Sequence, residues 1–251
     1  MALLWQKTNS NGHYEVRTAG RTVRLYKDGV FHSHYNPNLI VTRGVWDLLV
    51  LPALLHPSGS IRNVLMLGVG GGAAIHLLQH FIKPLHVTAI ELDEVHLTIA
   101  KRFFNVDYHN TDLVHADAIQ WVSSQAARKR PPQFDLIIDD LYGEEDGEPQ
   151  RAIQADANWV RQTGRLLADD GLLVTNFVSH REARDAYVSK RARQSRRFKS
   201  SYRFTNPNFE NVIVASSRQH NNRREFNKRL LAQKHLRTES YQNSFSIRKM
   251  R

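Results

Sequence analysis

The chain has 251 residues, of which 41% are hydrophobic, so it is long enough to bury a core and a wholly disordered chain is excluded. It contains no cysteine, which excludes disulfides, iron–sulfur clusters, thiolate zinc sites and cysteine nucleophiles. The formal net charge of +11 is unevenly distributed, because residues 181–251 carry 19 Lys and Arg against 5 Asp and Glu while residues 1–180 carry 16 against 19.

The N-terminal unit, residues 1–57, begins with a strand pattern. Apolar and polar side chains alternate between residues 14 and 35, and Lys27-Asp28-Gly29 is a hairpin turn signal. These features predict a small antiparallel sheet. Residues 43–55 then have the apolar spacing of a helix that ends near Pro52 and Pro57.

From residue 63 onward, short apolar runs alternate with helical stretches, which is typical of a parallel sheet covered on both faces. The predicted strands are residues 63–67, 86–92, 113–116, 134–139 and 171–178. The predicted helices are residues 73–81, 94–104, 119–127 and 152–167, with Asp93 as the cap of the second. The pattern predicts an α/β fold, a Rossmann-like doubly wound and mostly parallel sheet, in a domain of residues 58–218.

The C-terminal third is basic. A helical stretch over residues 180–197 leads to two alternating segments, residues 201–205 and 211–216, that we expect to close the sheet as an antiparallel edge pair. Residues 219–251 are polar with few apolar anchors, which predicts a basic tail with a loosely docked helix and a frayed end. Contact with nucleic acid and a merely solvated flank are both open interpretations of this charge.

The strongest local signal is an apolar strand that runs directly into a turn containing Gly68, Gly70, Gly71 and Gly72, followed by a helix. Glycines let the backbone approach a ligand, and the helix N-terminus offers unpaired N–H groups. We therefore predict that Gly68, Gly70 and Gly72 bind a nucleotide cofactor. The alternative is a turn that merely lets the helix pack tightly on the strand.

Two acidic residues at predicted strand ends point to an adenosine group. Glu91, 23 residues after Gly68, is placed to accept hydrogen bonds from ribose hydroxyls; the alternative is a helix-capping or surface carboxylate. Asp117, followed by Ala118, is placed to accept a hydrogen bond from the adenine amine or to cap the helix at Ile119, and the two roles can coexist. The glycine spacing alone does not exclude NAD.

The fourth predicted strand ends in Asp139-Asp140-Leu141-Tyr142-Gly143, at the edge of the sheet where such folds bind ligands. This strand end resembles the acceptor side of an S-adenosylmethionine-type transferase. In such a transferase Asp140 would accept a proton from the attacking nucleophile or orient it. Tyr142 either lines the acceptor pocket or packs at the strand end. The acidic residues 144, 145, 146 and 148 follow, either as a gate that attracts a cationic acceptor or as a solvated loop.

Residues 14–218 resemble the spermidine synthase (polyamine aminopropyltransferase) family. The lead-in around Asp28-Gly29, the glycine turn, Glu91-Leu92-Asp93, Asp117-Ala118 and the strand ending at Asp140 follow in that family's order. The resemblance implies the class I S-adenosylmethionine methyltransferase fold, and a homodimer as a candidate assembly. It also implies that Gly68, Gly70 and Gly72 hold the cofactor, Glu91 its ribose and Asp117 its adenine, with Asp140 near the site of transfer.

The chain departs from the family pattern where an amine would be bound. Gly71 replaces an Asp that grips the amine of the donor, Gly143 replaces the second Asp of an Asp-x-x-Asp-Pro sequence, and His32 replaces a glutamine. An ammonium left unpaired in a buried site costs several kcal/mol. The loss of the first Asp also removes a repulsion against the carboxylate of intact S-adenosylmethionine.

We therefore expect an S-adenosylmethionine-dependent methyltransferase with an unidentified small acceptor. The first alternative is a polyamine aminopropyltransferase that uses decarboxylated S-adenosylmethionine and a cationic amine acceptor. The second is a non-catalytic nucleic-acid-binding module. No metal site is expected, because His76 and His80 are spaced four residues apart without a third ligand.

The sequence also predicts where the protein resides. Its longest apolar stretch, residues 45–55, is about half as long as the roughly 20 residues of a membrane span. The N-terminus has no basic region followed by an apolar segment. We expect no membrane contact, no secretory signal and a cytoplasmic location.

Overall fold

The computed structural model describes residues 1–145, 148–190 and 198–250. Its N-terminal strands form one antiparallel sheet in chain order: β1 (Ala2–Asn9), β2 (Gly12–Ala19), β3 (Thr22–Lys27) and β4 (Val30–Tyr35). The predicted hairpin turn joins β3 to β4, with left-handed backbone at Asp28 and Gly29 (φ 49° and 83°). β1 was not predicted, because seven of its eight residues are exposed and its sequence does not alternate.

The central sheet has eight strands. They are β5 (Asn63–Leu67), β6 (His86–Glu91), β7 (Thr111–His115), β8 (Phe134–Asp139), β11 (Leu167–Phe177), β12 (Ser200–Thr205), β13 (Val212–Ser217) and β14 (Ser246–Lys249). A separate hairpin, β9 (Tyr142–Glu145) and β10 (Glu148–Arg151), follows β8. The strand order is β14-β12-β13-β11-β8-β5-β6-β7, parallel from β11 to β7 and antiparallel from β11 to β14. This arrangement confirms the predicted α/β fold.

Helices cover both faces of the parallel strands. They are α1 (Val45–Val50), α2 (Ala73–Leu77), α3 (Glu94–Phe104), α4 (Ala118–Ala127), α5 (Ala157–Leu166), α6 (His180–Asp185), α7 (Tyr187–Lys190), α8 (Arg223–Ala232) and α9 (Glu239–Gln242). Because side chains alternate along a strand, Val64 and Met66 of β5 enter one core and Leu65 and Leu67 enter the other. β5 therefore shows an unbroken apolar run from Val64 to Leu67.

Helix starts follow the capping side chains. Asp93 accepts a hydrogen bond from the Val95 amide at 2.9 Å, so α3 begins as predicted. Asp156 accepts from the Trp159 amide at 2.9 Å, so α5 begins five residues after the predicted position. The predicted helix over residues 180–197 is two short helices, α6 and α7, and residues 191–197 lie outside the described part of the chain.

The C-terminal segment differs from the prediction of a loosely docked tail. Phe226 and Leu230 of α8 are buried in the core, and the Arg229 guanidinium donates to the carbonyls of Leu54 and Leu55. The two segments predicted as the antiparallel edge pair, residues 201–205 and 211–216, correspond to β12 and β13. β14 pairs with β12 and forms the edge of the sheet beyond them. Within the described ranges, no helix combines the length and apolar character needed to cross a bilayer.

Candidate active site

The candidate site lies where β5, β6 and β8 end, because the carboxyl ends of parallel strands meet at one edge of a sheet. The glycine turn follows β5, Glu91 ends β6, and Asp140 follows β8. The Asp140 amide donates to the Leu67 carbonyl at 2.9 Å, and the Gly68 amide donates to the Ile90 carbonyl at 2.9 Å. The backbone itself therefore brings the three predicted elements together.

The glycine turn requires its glycines for two different reasons. Gly68, Gly70 and Gly72 have φ values of 85°, 53° and 86°, in the left-handed region that L residues rarely adopt. At Gly68 a Cβ would also collide with the carbonyl oxygen of Asp140, and at Gly72 it would lie 2.6 Å from Val106 Cγ2. The turn therefore permits close backbone approach within the protein, and its binding of a nucleotide stays a prediction.

Gly71 occupies the position where the resembled family has an aspartate. A Cβ at this position would lie 2.7 Å from a ring carbon of Phe104 and 2.9 Å from the Cβ of Ser33. Real Cβ atoms essentially never come this close, so a side chain here would require Phe104 and β4 to move. The absence of a carboxylate is thus part of the packing between the glycine turn and the N-terminal sheet.

Glu91 is buried beneath the glycine turn and holds it. Its Oε2 accepts hydrogen bonds from the amides of Val69 (2.8 Å) and Gly70 (3.0 Å), and its Oε1 accepts from the Asp93 amide (3.0 Å). Burial alone raises the pKa of Glu91, but the nearby His96 imidazole and the amide donors outweigh it and the net shift is downward. Glu91 therefore anchors the glycine turn, a role that its position in the sequence does not reveal.

A carboxylate has about four acceptor positions, and backbone amides use three of those on Glu91. The remaining position, on Oε1, has only His96 Nδ1 nearby, at 3.7 Å. One further donor, such as a sugar hydroxyl, can therefore be accepted. The predicted ribose contact fits the residues present and stays a prediction.

Asp117 and Ala118 lie at the end of β7. Asp117 Oδ1 accepts hydrogen bonds from the amides of Ile119 (2.7 Å) and Gln120 (3.2 Å). Of the two predicted roles, helix capping and adenine binding, these contacts confirm helix capping. Ala118 is buried in the first turn of α4. Capping engages a single oxygen of Asp117, so the adenine contact also stays a prediction.

Asp140 is a half-buried carboxylate in the crevice beside the glycine turn. Its Oδ1 accepts a hydrogen bond from the side-chain amide of Asn176 at 2.8 Å, and Asn176 in turn accepts from Asn211 at 3.1 Å. Burial raises the pKa of Asp140 to about 6, against the lowering effects of Asn176 and of the Arg151 charge. A carboxylate with this pKa is ionised near neutral pH and still basic enough to take a proton.

Tyr142 begins the β9–β10 hairpin, two residues after Asp140. Among the described residues its buried hydroxyl has no hydrogen-bond partner, and burial followed by the Asp140 charge raises the pKa of the phenol. An unpaired buried hydroxyl costs about 1–3 kcal/mol, so a ligand atom that paired with it would gain stability. Acidic residue 146 lies outside the part of the chain that the structure describes, and so do the side chains of residues 144, 145 and 148.

A buried ion pair that the sequence analysis missed supports this side of the site. Arg151 and Asp139 are 2% and 1% exposed, and they pair at 2.8 Å. The Trp159 indole also donates to Asp139, and the Arg151 guanidinium donates to the carbonyl of Asn176 at 2.6 Å. The pair therefore ties the hairpin to the ends of β8 and β11.

Nothing in the spacing of Asp139 and Arg151 pointed to this contact. Asn176 did carry a signal, since a polar residue at the end of a buried apolar strand stands at the sheet edge where ligands bind.

The N-terminal sheet closes the other side of the crevice. Tyr14 and Lys27 both hydrogen-bond to Asp93 Oδ2, at 2.6 and 3.0 Å. The rings of His32 and His96 lie 5.2 Å apart, and within the described part of the chain each has a buried Nε2 without a partner. Burial and the neighbouring His96 lower the pKa of His32 to about 4, so His32 is neutral. Among the described residues, no three His, Asp or Glu side chains form a group suited to a metal ion.

The spermine/spermidine synthase domain model matches residues 47–227, which include the glycine turn, Glu91, Asp117 and Asp140. The chain belongs to the spermine/spermidine synthase domain family. It is 26% identical over 213 residues to the polyamine aminopropyltransferase of Aeropyrum pernix, a match that covers 80% of this chain and 64% of that protein. The matches to curated polyamine aminopropyltransferases span between 18% and 64% of the length of those relatives.

Solved structures place the fold in the same group. A probable spermidine synthase from Corynebacterium glutamicum superimposes with a TM-score of 0.76 and 17% identity, covering 100% of this chain and 91% of that chain. A spermidine synthase in complex with the transition state analogue AdoDATO gives a TM-score of 0.67 and 16% identity, covering 90% and 76%. The class I methyltransferase fold implied by the resemblance is thereby confirmed. The family assignment identifies the fold but does not by itself identify the group that is transferred.

Proposed function

We propose that this member of the spermine/spermidine synthase domain family transfers an aminopropyl group from decarboxylated S-adenosylmethionine to an amine. The observation that carries the proposal is Asp140, whose main chain contacts Gly68 of the glycine turn and whose carboxylate has a pKa raised by burial to about 6. The family match and the names of the curated relatives support aminopropyl transfer better than the methyl transfer expected from the sequence.

The residues of the crevice divide the work between donor and acceptor. The glycine turn, braced by Glu91, would lie against the nucleoside, and the free acceptor position of Glu91 would take one ribose hydroxyl. A bound sulfonium nucleoside supplies an electrophilic carbon whose bond to sulfur breaks to release a neutral thioether. The protein contributes alignment and exclusion of water, which are the main accelerating factors for such a displacement.

Asp140 would handle the proton of the acceptor. As the amine nitrogen forms its bond to the aminopropyl carbon, it becomes positively charged, and Asp140 would accept the proton that it sheds. Asn176 fixes the orientation of the carboxylate, and the unpaired hydroxyl of Tyr142 would donate to or accept from the acceptor. The carboxylate must be ionised for this step, so activity rises as the pH rises through about 6.

Gly71 and Gly143 bear on which amine is accepted. Neither position offers a carboxylate to a second ammonium group, and the space beside Gly71 is filled by Phe104 and Ser33. We therefore propose that the chain recognises the reacting amine through Asp140 and Tyr142, with weaker selection of a diamine than two further carboxylates would give.

A donor screen tests the proposal. Wild-type protein should form product from decarboxylated S-adenosylmethionine and putrescine, and Asp140→Asn should lower kcat about 100-fold or more. Asp135→Asn is the matched control, because Asp135 lies at the opposite end of β8 and accepts from the amides of Arg62 and Asn63. A methylated amine formed from intact S-adenosylmethionine, without aminopropyl product from the decarboxylated donor, would overturn the proposal.

Binding is measured separately from turnover. Calorimetry with S-adenosylhomocysteine should give heat that Glu91→Ala largely abolishes, because both the ribose contact and the brace of the turn are lost. Thermal unfolding of the same variant shows whether the fold survives. The homodimer, the cytoplasmic location and the domain boundaries at residues 57 and 218 stay predictions, and sedimentation of the purified protein tests the first of them.

A further inference from the structure

A second cavity lies away from the candidate active site, between the α6–α7 segment and the antiparallel end of the central sheet. Its volume is about 290 Å³, and its lining includes His180, Arg184, Ser189 and Arg203 over an apolar floor formed in part by Val214 and Met250. None of the residues assigned above to the nucleoside or to the acceptor lines it. It is therefore a separate candidate site.

Among the described residues, no carboxylate lies within ion-pair distance of the arginines at this cavity. Arg203 of β12 stands directly opposite Arg248 of β14, so the two arginines share one face of the sheet. Like charges placed directly opposite each other destabilise an antiparallel pair. Across the described ranges, no carboxylate pairs with Arg184, Arg203 or Arg248 in the structure. A bound anion would offset this repulsion.

The carboxylate closest in sequence to this cluster is committed elsewhere. Glu182 of α6 accepts a hydrogen bond from the Val178 amide at 2.9 Å and lies 3.8 Å from Arg151. It does not line the cavity, and neither does Asp185. The described part of the lining thus contains two guanidinium groups and one imidazole, and none of its residues is acidic.

Ser189 supplies an independent observation. Its Oγ is buried and has no hydrogen-bond partner among the residues that the structure describes, although the residue lines the cavity. A buried hydroxyl left unpaired costs about 1–3 kcal/mol, so a ligand atom that pairs with it gains stability. The hydroxyl donates one hydrogen bond and suits an oxyanion held by arginines.

We propose that this cavity binds the phosphate group of an organic phosphate. Arg184 and Arg203 provide the forked donors that match phosphate oxygens, and Ser189 provides a third donor. The apolar floor at Val214 and Met250 accommodates a sugar or base attached to the phosphate. The same chemistry is offered by a free sugar phosphate and by a phosphodiester of single-stranded RNA.

Binding to the full chain tests the proposal, with the nucleoside site saturated by S-adenosylhomocysteine. The probes are ribose 5-phosphate, measured by calorimetry, and a fluorescein-labelled oligouridylate of twelve nucleotides, measured by anisotropy. Arg184→Gln and Arg203→Gln should each weaken binding about tenfold or more, and Ser189→Ala should weaken it to a smaller extent. Arg181→Gln, on the same helix but outside the lining, should change the affinity less than about twofold.

The two probes distinguish the sources of the phosphate. Binding of ribose 5-phosphate that depends on Arg184 supports a free metabolite, whereas binding of the oligonucleotide alone, with the same dependence, supports RNA. In the RNA case the logarithm of the affinity falls with the logarithm of salt by about 0.7 per phosphate contacted. The proposal is overturned if neither probe binds. It is also overturned if Arg181→Gln weakens binding as much as Arg184→Gln, because binding then depends on the overall positive charge of the surface and not on the cavity.

Discussion

Replacing Asn176 by alanine should move the pH dependence of turnover without abolishing it. The Asn176 amide donates to Asp140 at 2.8 Å and stabilises the ionised carboxylate. A hydrogen bond to a charged group contributes about 1.5 kcal/mol at the low end of its range, which corresponds to about one pKa unit. The pKa of Asp140 should therefore rise from about 6 to about 7.

The sign follows from the role of the carboxylate. In the proposed reaction ionised Asp140 accepts the proton, so a higher pKa lowers the active fraction on the acidic side of the pH profile. At pH 6 the ionised fraction falls from about one half to about one tenth, and kcat/KM should fall about fivefold. At pH 8.5 both proteins are almost fully ionised, and their rates should agree within about twofold.

Initial rates with decarboxylated S-adenosylmethionine and putrescine between pH 5 and pH 9 measure this shift. Asn211→Ala is the matched control, because Asn211 donates to Asn176 at 3.1 Å and does not contact Asp140. Its acidic limb should move much less. An acidic limb that stays in place in Asn176→Ala would refute the assignment of that limb to Asp140.

Three further predictions concern stability. Burial raises the pKa of Asp140 in the folded state, so its contribution to stability is lost as the pH rises from about 4 to about 6. Asp140→Asn should remove this loss and raise the free energy of unfolding by up to about 3 kcal/mol at pH 8. Urea unfolding at pH 4 and pH 8 measures the gain. Gly68→Ala should lower the melting temperature far more than Gly59→Ala, because both glycines have positive φ (85° and 78°) but only Gly68 faces a backbone oxygen. Equal shifts would contradict the collision. Phe226→Ala should cost about 3–5 kcal/mol in urea, whereas Phe209→Ala, at a residue 39% exposed, should cost little; a small effect at Phe226 would mean that α8 does not support the core.

The parallel core was predictable because its signals are local. Strands β5 and β8 and helix α3 have the predicted bounds, since an unbroken apolar run marks a buried strand and Asp93 caps the helix from within three residues. The glycine turn was predictable for the same reason. Each of these features is decided by neighbours in the sequence.

Features that depend on distant partners were missed. β14 pairs with β12 across more than 40 residues, and its polar sequence gives no strand signal. Arg151 reads as a surface residue because arginine is rarely buried, and only the fold reveals Asp139 beneath it. The second function of Glu91 was hidden similarly, because backbone amides leave no trace in a sequence.

The contact between Gly68 and the backbone of Asp140 constrains how this protein can be redesigned. The residue that starts the glycine turn and the residue proposed to take the proton touch through main-chain atoms, so substitutions of the Asp140 side chain leave the contact in place, whereas any side chain added at Gly68 collides with it. Laboratory evolution toward a new donor would therefore have to leave this junction intact. The positions that leave this junction intact lie on either side of it, at Phe104 and Ser33, which pack against Gly71, and along the β9–β10 hairpin that follows Asp140.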